Sequence, residues 1–174
     1  TSRTPPPGNL IIYGCNGGIY ALLYQAGSSP DLGAPLILSA DDLTGDGVGD
    51  MAYATQTCSA STCFTELTLI AYDSDSGQFR SLTEEPIVRA SAEITLTPAL
   101  GGQPGSFTVV SGAVVSSAAG PGRPETLIYA YDAARGRFAE LSRTLSPATY
   151  RIQVIHDADD TLAAGNFDEA IGLY

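Results

Sequence analysis

The stretch Thr68-Leu-Ile-Ala-Tyr-Asp-Ser-Asp-Ser-Gly-Gln-Phe-Arg-Ser-Leu82 returns 59 positions later as Leu127-Ile-Tyr-Ala-Tyr-Asp-Ala-Ala-Arg-Gly-Arg-Phe-Ala-Glu-Leu141. Tyr, Asp, Gly, Phe and Leu keep their places in both. Each copy reads as a strand, a tight Asp-x-x-x-Gly turn and a second strand, which is a β-hairpin. Upstream, Gly49-Asp-Met-Ala-Tyr53 matches Gly105-Ser-Phe-Thr-Val109 at an offset of 56. The slip falls in the hairpin tips, the second of which (residues 116–124) is longer and rich in Gly, Pro and Ala. A fainter first copy runs through Gly8-Asn-Leu-Ile-Ile-Tyr13 and Ile19-Tyr-Ala-Leu-Leu-Tyr24, joined by Gly14-Cys-Asn-Gly-Gly18. The repeat therefore predicts a mainly β fold over residues 9–150, made of about three antiparallel hairpin units or propeller-like blades. Closed propellers take roughly four to eight blades, so this number alone would form an open or unusually closed assembly, or part of a larger one.

Ahead of the middle unit stands Asp42-Leu-Thr-Gly-Asp-Gly-Val-Gly-Asp50, with carboxylates at loop positions 1, 5 and 9. Asp42, Asp46 and Asp50 would give carboxylate oxygens, Thr44 an oxygen and Val48 its backbone carbonyl. Hard oxygen donors on a flexible Gly-rich loop suit Ca²⁺, which takes six to eight oxygens at roughly 2.3–2.6 Å. An EF-hand is excluded: that loop needs a bidentate Glu at position 12 and a following helix, and position 12 here is Tyr53, in the strand-like run Met51-Ala-Tyr-Ala-Thr55. The matching loop of the last unit, Leu100-Gly-Gly-Gln-Pro-Gly105, has no carboxylate, so a single site is expected.

An acidic loop running straight into a strand resembles the FG-GAP and VCBS repeats of integrin-type propellers and bacterial surface proteins. Their Asp-x-(Asn/Asp)-x-Asp-Gly-x-x-Asp signature is matched by Asp42, Asp46, Gly47 and Asp50, while Thr44 stands where the family carries a better oxygen donor. The resemblance implies a Ca²⁺-stabilised module for surface display, adhesion or assembly, with the metal in a structural role.

The pattern changes near Tyr150. The run Tyr150-Arg-Ile-Gln-Val-Ile-His156 reads either as a last strand or as the start of a helix. Asp157-Ala-Asp-Asp160 then offers a helix N-cap and first-turn acids. The segment Leu162-Ala-Ala-Gly165-Asn-Phe-Asp-Glu-Ala170-Ile-Gly-Leu-Tyr174 resembles the turn and second helix of a tetratricopeptide repeat. Residues 151–174 are thus expected to form a short helical hairpin. Half a repeat cannot make the concave groove those arrays use for peptides, because stacked neighbours are required. The start, Thr-Ser-Arg-Thr-Pro-Pro-Pro, reads as a mature or trimmed N-terminus, with residues 1–8 as a stiff extended leader.

Composition closes off several functions. A net charge of −11 argues against nucleic acid, whose phosphates need a basic surface. No apolar run approaches the roughly 18 residues that cross a membrane as a helix. Cys58 and Cys63 flank Ser-Ala-Ser-Thr at a hairpin tip, where a disulfide would mark an oxidising compartment; Cys15 is left over. Extracellular or cell-surface localisation is the expectation. The lone His156 builds no zinc site, and no Gly-x-Ser-x-Gly elbow is present. Glu84 and Glu85 are adjacent, so on a strand they would face opposite ways, and no enzyme is expected. Tyr129 and Tyr131 share a strand face, where exposed rings would suit sugar stacking or a protein interface. Like subunits, another protein or a glycan are the partners to consider. The rival functions are a self-assembling subunit of an extracellular filament or layer, and a carbohydrate-binding module or remote glycoside hydrolase.

Overall fold

Both copies of the repeat fold as hairpins, for the reason their turns suggest. In the computed structural model, which describes residues 8–16, 18–26, 33–59, 62–113, 115–116 and 120–174, β5 (Cys63–Asp73) meets β6 (Gln78–Ser81). Likewise, β12 (Glu125–Asp132) meets β13 (Arg137–Leu145). Gly77 and Gly136 close the two turns at φ +68° and +65°, a left-handed conformation that a Cβ disfavours. The Asp at each turn entrance caps it, Asp73 Oδ1 accepting from the Asp75 amide and Asp132 Oδ1 from the Ala134 amide. Tyr72 faces Phe79 and Tyr131 faces Phe138 across the strands, each pair edge-on with centroids 5.5 Å apart.

The copies part company at their last Leu. Leu82 leaves the sheet and is fully buried, whereas Leu141 continues along β13 and is 71% exposed. After Leu82 the chain turns through residues 83–86 and resumes as β7 (Ile87–Ala90), so β6 and β7 lie end to end along β5. The adjacent Glu84 and Glu85 therefore sit in an exposed bend rather than on a strand.

Three layers result. The first is the hairpin of β1 (Leu10–Asn16) and β2 (Ile19–Ala26). The second is a five-stranded sheet of β3 (Leu36–Ser39), β4 (Met51–Cys58), β5 and β6, with β7 beside β5. The third is a four-stranded sheet of β8 (Glu93–Thr97), β9 (Ser106–Ser111), β12 and β13. All pairings are antiparallel. Strand alternation sends the two faces of the middle sheet to different cores. Leu67, Leu69 and Ala71 join Phe107, Val109, Leu127 and Tyr129 of the third layer, while Tyr53 and Ile70 join Leu10 of the hairpin. Among the described residues the sheets stay open, with no closed barrel or propeller.

A short ribbon of β10 (Val115–Ser116) and β11 (Gly120–Pro121) lies within the connection from β9 to β12. The chain ends in α1 (Arg151–Ala163) and α2 (Phe167–Leu173), parted at Gly165. The helix begins ahead of the expected cap at Asp157, which lies in mid-helix. Gln153 supplies the cap instead: its Oε1 accepts from the Thr149 and Tyr150 amides, and its Nε2 donates to the Pro121 and Gly122 carbonyls. An Arg123–Asp157 ion pair adds a second link between α1 and the β10–β11 region. The extended leader expected over residues 1–8 lies, Gly8 apart, outside the described residues. Among those residues no helix is long and apolar enough to cross a membrane.

Candidate metal centre

The acidic loop links β3 to β4, and its backbone folds back on itself as the glycine spacing implies. Gly45 and Gly47 adopt φ +87° and +84°, turning amides toward the Asp42 carboxylate. Gly45 N–H donates to Asp42 Oδ1 at 2.6 Å and Gly47 N–H to Oδ2 at 2.8 Å. Burial pushes Asp42 up, but the Gly45, Gly47, Asp46 and Thr44 amides together outweigh it and hold the carboxyl below the usual carboxylate range. Asp46 Oδ1 accepts from the Val48 amide at 2.8 Å, and the Val48 side chain is exposed.

Asp50 differs from both. It is only 2% exposed, and its Oδ2 takes the Leu43 and Thr44 amides at 2.9 Å each. Its Oδ1 is buried with no hydrogen-bond partner, and so is the Thr44 hydroxyl oxygen. Burial is the largest influence on Asp50 and pushes its carboxyl up, with the nearby Asp46 charge adding to it and the Leu43 and Thr44 groups opposing. A buried carboxylate without a facing cation is costly, because the charged form loses its hydration.

The loop is anchored to the third layer at Asp42 and Leu43. Leu43, between Asp42 and Thr44, is fully buried in the core joining the second and third layers. Its carbonyl accepts from Gly105 N–H at 3.1 Å, and the Asp42 carbonyl accepts from Ala99 N–H at 2.8 Å. The approach is close enough that a Cβ on Gly105 would stand 2.3 Å from the Leu43 oxygen. The carboxylate-free loop of the third unit, residues 100–105, thus serves as the seat for the acidic one. An apolar residue inside an acidic run was the available signal for this anchor.

No family model, no curated protein and no solved structure matches the chain. The loop must therefore be judged on its own atoms. The three aspartates do not form a tight triad: among the described residues no three His, Cys, Asp or Glu side chains gather closely enough to hold a metal ion. The donor chemistry nonetheless fits a hard cation. Asp50 Oδ1 and Thr44 Oγ1 are orphaned oxygens, and each amide-bound oxygen of Asp42 keeps a lone pair, since a carboxylate oxygen has two.

The other sequence features fall elsewhere. Cys58 and Cys63 form a disulfide at the β4–β5 tip, and Cys15 is free and exposed. His156 is exposed on α1, and the neighbouring Asp157 is held by Arg123. Glu125 lies between Arg89 and Arg143. The tyrosines do not form one face. Tyr129 is in the core, stacked on Phe107 with centroids 4.6 Å apart. Tyr53 is buried, its hydroxyl 2.7 Å from that of Tyr24, where burial and then the Tyr53 contact push the Tyr24 phenol up. Tyr13 and Tyr20 are exposed on the first hairpin.

Proposed function

We propose that the chain is a non-catalytic β module whose acidic loop holds one calcium ion, working outside the cell or at its surface in adhesion or structural assembly. The hairpin and two sheets are three successive blade-like units, supported by the matched Tyr–Phe pairs and the same strand order in both sheets. Asp50 Oδ1 and Thr44 Oγ1 would supply the buried ligands, and Asp42, Asp46 and the Val48 carbonyl would complete the set by drawing in around the ion as it binds. A bound Ca²⁺ supplies positive charge and oxygen coordination and takes part in no reaction.

The observation that carries this reading is Asp50, a buried carboxylate with one oxygen unpartnered in a loop with no cationic side chain. The Cys58–Cys63 disulfide supports an oxidising setting, in which such bonds form and persist. Calorimetric titration with calcium chloride tests the assignment. Wild type should bind one ion per chain and Asp50→Asn none; a wild type that evolves no saturable heat rejects the site.

A further inference from the structure

The β1–β2 hairpin is apolar on both sides. Leu10-Ile-Ile-Tyr13 and Ile19-Tyr-Ala-Leu-Leu-Tyr24 are continuous apolar runs rather than alternating ones, the composition of strands covered on both faces. The structure covers one face: Leu10, Ile12, Tyr24 and Ala26 pack on Met51, Tyr53, Ile70 and Phe79. The register sends Ile11, Tyr13, Leu22 and Tyr20 to the other, where they are 42%, 60%, 54% and 74% exposed. Every acid of this chain lies beyond residue 30, and residues 4–30 include no charged side chain.

At the far end of the stack, the four-stranded sheet has an outer face that alternates with its core residues. Thr108 and Val110 of β9 and Thr126, Ile128 and Ala130 of β12 lie on it. In the repeat, Thr126, Ile128 and Ala130 are the counterparts of Leu67, Leu69 and Ala71, and Thr108 and Val110 those of Ala52 and Ala54. In the middle sheet, Ala52 and those three β5 residues pack against the layer that follows. The hairpin thus presents the side that elsewhere receives a preceding layer, and the last sheet the side that elsewhere receives a following one. Glu93, paired with Val110 at the β8 edge, is one acid on that side, and Asp132, at the end of β12 opposite Arg137 and paired with Arg135, is another; neither would meet a charge on the hairpin.

We propose that these two faces meet between copies of this chain, the last sheet of one molecule seating on the hairpin of the next and continuing the stack head to tail. Two arguments carry the choice of a second copy. The junction repeats the layer packing already made twice within the chain. It also joins a surface free of charge to one whose charges, Glu93 on the edge strand and Asp132 with its arginines at the β12–β13 turn, lie at its margins, on a molecule of net charge −11 whose other surfaces repel their like. A contact between unlike faces gives an open chain or a closed ring rather than a closed twofold dimer. The inference does not depend on calcium.

Analytical ultracentrifugation from micromolar to submillimolar concentration tests it, using wild type, Tyr20→Glu and Val110→Glu. Circular dichroism and a cooperative thermal melt like that of wild type would show that each variant folds; Tyr13→Asp and Thr126→Asp repeat the pair if either does not. Wild type should form species that grow with concentration, and each variant alone should stay monomeric. An equal mixture of the two variants should give dimers and nothing larger, because each keeps one competent face. A monomeric wild type overturns the proposal, as does association that persists in both variants. Self-association of Val110→Glu alone would show hairpins pairing with hairpins and would overturn it equally.

Discussion

Replacing Asp50 by Asn should reverse its effect on stability according to whether calcium is present. In chelator, the Asn carbonyl can accept the Leu43 and Thr44 amides now held by Oδ2. Its amide nitrogen takes the place of the unpartnered Oδ1 near the equally unpartnered Thr44 hydroxyl. A buried charge without a counter-ion disappears and no new orphan is made. Since an unsatisfied buried polar group costs about 1–3 kcal/mol, the variant should be about 1 kcal/mol the more stable protein. For a chain of this length, that is a rise of about 2–4 °C in Tm. With calcium the order inverts. A neutral hydroxyl in the third position and few unengaged ligands place the site among weak extracellular ones, with Kd of about 10⁻⁴–10⁻³ M. Free calcium at a hundred times Kd would then stabilise wild type by about 2.7 kcal/mol, or about 5–10 °C, and leave Asp50→Asn unmoved. Thermal unfolding by circular dichroism in chelator, calcium and magnesium at matched ionic strength reads all of this. If wild type melts identically throughout and Asp50→Asn melts lower in chelator, the carboxylate is only a backbone acceptor and the reasoning fails.

The remaining predictions concern the same loop and its neighbours. Without calcium, the stability difference between wild type and Asp50→Asn should shift in favour of wild type as pH falls. The folded state holds the Asp50 proton above the ordinary value of 3.8, so this carboxyl costs stability as pH rises through that window; paired denaturation curves between mildly acidic and neutral pH measure it. The disulfide closes a segment with a sequence separation of 5, so the Cys58→Ser, Cys63→Ser double variant should lose about 2 kcal/mol in urea unfolding. Leu43→Ala empties a fully buried site between two sheets and should cost about 3 kcal/mol or more by the same assay. Gln153→Ala removes the cap of α1 and its bonds to residues 121 and 122; limited proteolysis should then cut near α1 first while the β-sheet melt holds within about 1 kcal/mol.

What could be foreseen from residues alone divides along physical lines. The hairpins were legible because Tyr-Asp-x-x-x-Gly-x-Phe specifies turn geometry and cross-strand partners locally. The disulfide was legible because the spacing of Cys58 and Cys63 already places them opposite one another in a hairpin. The fates of Leu82 and Leu141 were not, since the same residue in the same repeat position is buried or exposed according to whether the strand breaks after it. The first turn of α1 was equally hidden, because its cap comes from a glutamine that also binds a distant segment. Asp42, Asp46 and Asp50 announced themselves by spacing, but their inequality did not. Burial of Asp50 alone follows from Leu43, whose anchoring depends on a loop more than fifty positions away in the chain.

That leucine carries a consequence for how a cation and a fold communicate. It sits between two residues offered to the ion, yet its side chain belongs to the seam between sheets. A shift of one sheet against the other would therefore move the oxygens, and by thermodynamic reciprocity a bound calcium ion would grip the seam as strongly as the seam sharpened the grip on it. Altering Phe107 or Val109, which share the core with Leu43 and whose side chains offer no oxygen ligand, would then weaken the hold on a bound ion, and a change in ion supply would be felt as stiffness across the whole stack.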